Sequence, residues 1–186
     1  MKNYEQELKL ELTQSQFERI TKGFEGVVQK NYYFCDLKDF DYERCFRIRE
    51  KNGEFELTYK KRFSNDNGIG QCIEYNCSIS SEQARIFFEH GIDTKVFLTA
   101  FGINLEQKRF ECVGCLTTTR YKVPFFEYLL EIDKNDYLSK TDFELECENG
   151  DYAKLEQLKG LLRYHFGIKL NFAKTKVERF FNELNK

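Results

Sequence analysis

The chain has 186 residues, with 29 lysines and arginines against 31 aspartates and glutamates and a formal net charge of −2. That balance disfavours non-specific nucleic-acid binding, which needs a broad basic surface, but leaves room for a small anion held by a local basic cluster. Seven cysteines at irregular spacing do not read as a secreted disulfide framework, no apolar run approaches a transmembrane span, and the charged N-terminus is no signal peptide.

The first predicted element is a strand over Glu5-Gln6-Glu7-Leu8-Lys9-Leu10-Glu11-Leu12. Successive strand side chains point to opposite faces, so Glu5, Glu7, Lys9 and Glu11 share one face and Leu8, Leu10 and Leu12 the other. Thr13 to Gln16 reads as a capping box opening a helix with Phe17, Ile20 and Phe24 on its buried side. A strand follows at Asn31 to Phe34. Cys45 to Arg49 and Phe55 to Arg62 form a hairpin about Asn52-Gly53, a strong local turn signal. Cys72 to Ile79 is the next strand, and helices at Ser81 to His90 and Asp93 to Phe101 are split by Gly91.

Further strands are predicted at Lys108 to Val113, Leu116 to Val123, Tyr128 to Asp133 and Thr141 to Glu148. The C-terminal segments Tyr152 to Phe166 and Phe172 to Leu184 are helical, with Gly167 as C-cap between them. One proline and no low-complexity stretch mark no boundary, so residues 1–186 are expected to form a single domain in the cytoplasm. Eight or so mostly sequential strands predict an α+β fold in which an antiparallel sheet curls shut into a barrel. The polar strand faces are ionic. They are therefore expected to line a charged lumen, while helices cover the apolar faces from outside.

Basic side chains recur on one face of several strands. Arg47 and Arg49 stand about 6.6 Å apart, a spacing suited to neighbouring phosphoryl groups. Lys60 and Arg62 share a face with Glu56 and Thr58, Arg120 and Lys122 share one with Thr118, and Lys176 and Arg179 lie three apart on the last helix, beside the apolar stripe of Val177, Phe180, Phe181 and Leu184. Any one pair reads most simply as solvated surface charge. Together, on strands distant in sequence but adjacent in one sheet, they point to an anionic ligand.

Glu5 with Glu7 and Glu144 with Glu146 are same-face carboxylate pairs. If their strands face each other across a lumen, four carboxylates converge and require a cation or protonation. Oxygen-only ligation without histidine suits Mg²⁺ or Mn²⁺. Asp133, after Glu131 on a neighbouring strand, can add a carboxylate or orient a lysine, whereas Glu11 and Glu148 read as outer ends of wet faces. His90 and His165 read as capping or surface residues. Cys112 and Cys115 are expected on opposite faces of a strand, and no P-loop or Ser/His/acid constellation is present.

Glu5-x-Glu7-x-Lys9 in an N-terminal strand resembles the signature of the CYTH, or triphosphate tunnel metalloenzyme, superfamily. The resemblance continues through Phe46-Arg47-Ile48-Arg49, Leu57-Thr58-Tyr59-Lys60, Leu116-Thr117-Thr118-Thr119-Arg120, Leu130-Glu131-Ile132-Asp133, Asp142-Phe143-Glu144-Leu145-Glu146 and Lys176-Val177-Glu178-Arg179, so it spans nearly the whole chain. It is greatest to small bacterial members from Firmicutes.

The resemblance implies an eight-stranded antiparallel tunnel acting on triphosphate compounds with Mg²⁺ or Mn²⁺. It implies that Glu5, Glu7, Glu144 and Glu146 hold metal, and that Lys9, Arg47, Arg49, Lys60, Arg120 and Lys176 clasp the triphosphate. Glu5, Glu7, Lys9 and Asp133 would form the reacting centre, with Glu74, Lys122, Arg62 and Arg179 as additional candidates. Where many relatives read Arg-x-Glu-x-Glu, this chain reads Cys72-Ile73-Glu74-Tyr75-Asn76, a lost basic group that can narrow or shift the substrate range.

The expected activity is hydrolysis of inorganic triphosphate. Thiamine triphosphate or nucleoside triphosphate hydrolysis, adenylate cyclase chemistry and a non-catalytic polyphosphate- or nucleotide-binding tunnel are the alternatives. The expected partner is a small triphosphate, with no nucleic acid or membrane, on a monomer or homodimer.

Overall fold

A computed structural model describes residues 2–36, 46–104 and 109–186. Alternation at the N-terminus gives β1 (Lys2–Leu12), and the Thr13/Gln16 capping box starts α1 (Gln14–Thr21). Then come β2 (Gly26–Cys35), β3 (Phe46–Lys51), β4 (Glu54–Asp66) and β5 (Ile69–Ile79). Asn52 and Gly53, at φ 53° and 80°, make the tight turn between β3 and β4. A second capping box, Ser80 with Gln83, opens α2 (Ser81–His90). β6 (Ile92–Asp93), α3 (Lys95–Phe101), β7 (Arg109–Phe125), β8 (Tyr128–Tyr137), β9 (Lys140–Glu148), α4 (Tyr152–Phe166) and α5 (Lys176–Leu184) complete the chain.

The strands pair in the order β2-β3-β4-β5-β1-β9-β8-β7, and β7 pairs back onto β2, closing an eight-stranded antiparallel barrel; β6 adds a short edge to β7. Closure leaves none of the eight with an unpaired side. The chain is sequential around the barrel except that β1 lies between β5 and β9.

The outward faces carry the core. Leu8, Leu10, Leu12, Leu130, Ile132 and Leu145 pack beneath Phe17 and Ile20 of α1 and Leu155, Leu158 and Leu162 of α4. Phe34, Phe46, Ile48 and Leu57 pack with Ile92, Phe97 and Phe110 on the side covered by α2 and α3. Full burial of such side chains contributes about 1.5–3 kcal/mol each.

α5 behaves differently from the expected outer covering. Its Val177, Phe180 and Phe181 pack against Tyr33, Leu116 and Tyr137, which lie on the lumen side of their strands, so α5 stoppers one end of the barrel. Its apolar stripe is shorter than predicted, since Leu184 is exposed.

Several predicted boundaries change. Lys108 to Val113 and Leu116 to Val123 belong to one strand, β7, which passes through Gly114 at φ 149°. Tyr33 pairs with Gly114 and Phe34 with Cys112, so Val113 is the extra residue of a β-bulge. A side-chain carbon at Gly114 would stand 2.7 Å from the Phe180 ring, so glycine there serves both the conformation and the seating of α5. The bulge also corrects the cysteine prediction. Cys112 and Cys115 pair with Phe34 and Tyr32, two residues apart, and thus share a face as free thiols.

β6 replaces the start of the helix expected at Asp93, and Phe172 forms an isolated bridge with Leu10 in place of opening the last helix. Phe24 is exposed because α1 ends at Thr21. The predicted strand starts Cys45 and Lys108 lie outside the described residues.

Candidate active site

Register delivers the ionic residues to one lumen. Lys60 pairs with Glu74, Glu5 with Cys72, Lys9 with Glu146 and Arg120 with Asp133, each on adjacent strands. Glu5, Glu7, Lys9, Arg47, Arg49, Lys60, Arg62, Glu74, Arg120, Glu146, Glu148 and Lys176 all line the cavity this creates.

The β2–β4 wall is rich in donors. Arg47 Nη2 donates to Glu74 Oε1 at 3.1 Å and Thr58 Oγ1 at 3.3 Å, while its buried Nε has no acceptor. Asn31 Nδ2 and Gln29 Nε2, on the same wall, are also buried without acceptors. Arg49 Nε donates to Asn31 Oδ1 at 3.3 Å, and among the described residues no carboxylate forms an ion pair with this guanidinium. Burial, with repulsion from Arg47 and Arg120, pulls its pKa down to about 10.

The carboxylates do not meet at one point, because β1 and β9 are neighbours and do not face each other across the lumen. They divide into two triads, Glu5/Glu7/Glu148 and Asp133/Glu144/Glu146, each with oxygens within 4.8 Å of one another. Glu148, read from sequence as wet surface, joins the first triad because it pairs with Glu7 across β1 and β9. Burial, a hydrogen bond with Glu74 and that carboxylate's charge push Glu5 up to about 7, although Lys60 Nζ stands 2.7 Å from Glu5 Oε2. Burial and Glu7 likewise raise Glu148. Burial also opposes ionisation at Glu7, but Lys9 and Lys60 outweigh it and hold its pKa low.

In the second triad burial is again opposed by cations: Lys176, Lys9 and Arg120 hold Glu146 well below the usual range. Arg120 pairs with Glu131, Asp133 and Glu146, and Arg179 with Glu144 and Asp142. Asp133 and Glu144 are fully buried. The first triad, open to the cavity and short of compensating charge, is the set that fits a hard divalent ion.

The remaining candidates scatter. Lys122 is 57% exposed beside Glu131 and lies outside the cavity lining. Arg62 is at an exposed position on its rim. Glu11 is exposed, and neither His90 nor His165 lines the cavity. At the departure on β5, Cys72 Sγ donates to Glu5 Oε2 at 3.4 Å and Asn76 Oδ1 accepts from Thr58 at 2.8 Å, so both replacements are absorbed into the wall's hydrogen bonding.

The family model described as the CYTH domain matches residues 3–181. The chain belongs to the CYTH family. This CYTH chain is 27% identical over 188 residues to YjbK of Bacillus subtilis (strain 168), a protein provisionally named a triphosphatase, covering 97% of the present chain and 95% of that one. Its fold is similar to that of a Bacillus halodurans protein provisionally named an adenylate cyclase, at TM-score 0.76 and 24% identity over 97% and 98% of the two chains. It is also similar to HpAC1 from Hippeastrum, a protein described as having a dominant triphosphatase activity, at TM-score 0.77 and 20% identity over 96% of each chain. Among the described residues of this CYTH chain, no helix is long and apolar enough to cross a membrane.

Proposed function

We propose that this CYTH chain is a divalent-metal-dependent hydrolase of triphosphate compounds, acting on inorganic triphosphate and releasing phosphate. The observation that carries the reading is the donor excess of the β2–β4 wall: among the described residues, cavity-lining Arg47 has no acceptor at its buried Nε, and Arg49 beside it has no carboxylate ion-pair partner. Buried unsatisfied donors are costly, and the oxygens of a polyanion would satisfy them.

Arg47, Arg49, Lys60 and Arg120 would hold the phosphoryl groups and offset charge on their oxygens as the anhydride breaks. Glu5, Glu7 and Glu148 would hold the Mg²⁺ or Mn²⁺ ion, which when bound would supply Lewis-acid polarisation of the phosphoryl group and lower the pKa of water. Such acidification removes the need for a histidine base. Lys9, between Glu7 and Glu146 at 2.7 Å from each, would keep both ionised and can reach phosphate on exchange. Inorganic triphosphate is favoured over a nucleotide because, among the described residues, the rings that line the cavity are already engaged: Tyr33, on the lumen face, with Phe180 at 5.1 Å, and the outward-facing Phe46 with Phe97 at 3.8 Å.

Phosphate release from tripolyphosphate, thiamine triphosphate and ATP, with and without Mg²⁺ or Mn²⁺, tests the reading. Metal-dependent release is expected, greatest from tripolyphosphate. Inactivity toward all three, or cyclic AMP as the product from ATP, would overturn it.

A further inference from the structure

The two carboxylate triads differ in how closely cations surround them. The Lys176 ammonium touches every member of the Asp133/Glu144/Glu146 triad, at 2.9 Å from Asp133 Oδ2, 3.0 Å from Glu146 Oε1 and in direct contact with Glu144. Arg120, Arg179 and Lys9 pair with the same carboxylates, so four cations touch this triad; three are shared with carboxylates outside it, Glu131, Asp142 and Glu7, and Lys176 alone pairs wholly within it. Among the described residues, the Glu5/Glu7/Glu148 triad ion-pairs only with Lys60 and Lys9, and each of these is shared with a carboxylate outside it, Glu74 or Glu146.

Access differs in the same sense. Glu5, Glu7 and Glu148 all line the cavity, whereas Glu146 alone does so from the other triad. Oxygens within 4.8 Å of one another can be bridged by one ion at about 2.0–2.6 Å from each, so distance alone would admit a divalent ion to either triad. In the closed triad that place is already filled. An ammonium offers three donors to three carboxylates, and the N-terminus of α5 delivers it. Thr175 caps the helix by accepting from Glu178 N at 3.2 Å, and Val177, Phe180 and Phe181 anchor the helix in the barrel end.

We propose that the Lys176 ammonium is a tethered cation standing where a second divalent ion would sit. The chain then carries one divalent ion, on Glu5, Glu7 and Glu148, and keeps a second carboxylate site latent. The inference rests on the metal-dependent reading for the nature of the ion, but its readout needs no turnover. Lys176 thereby supplies fixed positive charge beside the phosphate cradle that no chelator removes.

The test is Mn²⁺ binding stoichiometry on the full chain without substrate, by calorimetry and by electron paramagnetic resonance of the free ion. The wild-type chain should bind one Mn²⁺, Lys176→Arg one, and Lys176→Met two, with folding checked by near-ultraviolet circular dichroism. Glu148→Gln, which leaves Lys176 in place, should lose the wild-type ion, and Lys176→Met with Glu148→Gln should bind one at the opened site. Two ions or none on the wild-type chain, one ion on folded Lys176→Met, or a tight ion retained by Glu148→Gln would each overturn the proposal. The Glu148→Gln arm decides even if Lys176→Met does not fold. Phosphate release is measured separately, so failure of the triphosphatase reading leaves this outcome legible.

Discussion

Arg120 grips Asp133 at two points across β7 and β8, Nε to Oδ1 at 2.8 Å and Nη2 to Oδ2 at 2.6 Å. Asp133 is fully buried and also pairs with Lys176 at 2.9 Å. Removing one member of a buried ionic cluster leaves the others desolvated and unpaired. Asp133→Ala is therefore expected to lower unfolding free energy by about 3–5 kcal/mol, measured by urea denaturation. A loss below about 1 kcal/mol would mean that Glu146 alone suffices for both cations.

Arg49 makes the opposite case. It is half-buried, repelled by Arg47 and Arg120, and has no carboxylate ion-pair partner among the described residues. Arg49→Met should leave stability unchanged or higher while weakening tripolyphosphate binding by roughly 10- to 150-fold, as expected for about 1.5–3 kcal/mol of charged hydrogen bonding. Parallel urea and calorimetric titrations separate the two effects, and an equal loss in both would contradict the assignment.

Burial and the neighbouring Glu74 push the Glu5 carboxyl up to about 7. Cation binding requires its carboxylate and so releases the proton, and Mn²⁺ affinity is expected to climb about tenfold per pH unit up to about 7 and then level off. For stability without metal the sign reverses. The folded pKa lies above the ordinary carboxylate value of 4.5, so the folded state binds more protons between about 4.5 and 7, and this residue's contribution to stability falls as pH rises through that window. Titrations at several pH values check both slopes, and a flat Mn²⁺ profile would remove Glu5 from the ion's shell.

Gly68, at φ 79°, closes the β4–β5 turn against Phe172, and a side-chain carbon there would overlap the ring. Gly68→Ala should cost about 1–3 kcal/mol from overpacking, with a further contribution from its left-handed backbone. The melting temperature should fall, and Phe172→Ala in the same chain should restore part of it.

The strand-forming segments and the ionic face were legible because strand alternation is local: Glu5, Glu7 and Lys9 share a side whatever β1 pairs with. Which carboxylates meet was not legible, because register and strand order are long-range. Only the pairing of Glu7 with Glu148 shows that Glu148 joins the first triad, and only the order β1-β9-β8 brings Glu144 and Glu146 to Asp133. The bulge at Val113 was hidden for a related reason. Gly114 was visible in the sequence as a break, but its partner strand β2 decides that the break is a kink in one strand and not a turn between two. The seating of α5 likewise depends on lumen-facing residues from three other elements, Tyr33, Leu116 and Tyr137.

The place of β1 between β5 and β9 has a consequence for the order of assembly. β1, made before the other strands of the barrel, gains its β5 neighbour early but keeps its other side bare until β9 has been made. Glu148 stands at the end of β9, so the Glu5/Glu7/Glu148 triad cannot exist on a nascent chain lacking that strand. On the proposed reading, capture of an ion would be confined to a barrel whose ring of strands is already complete, and unfinished chains would present Glu5 and Glu7 without Glu148.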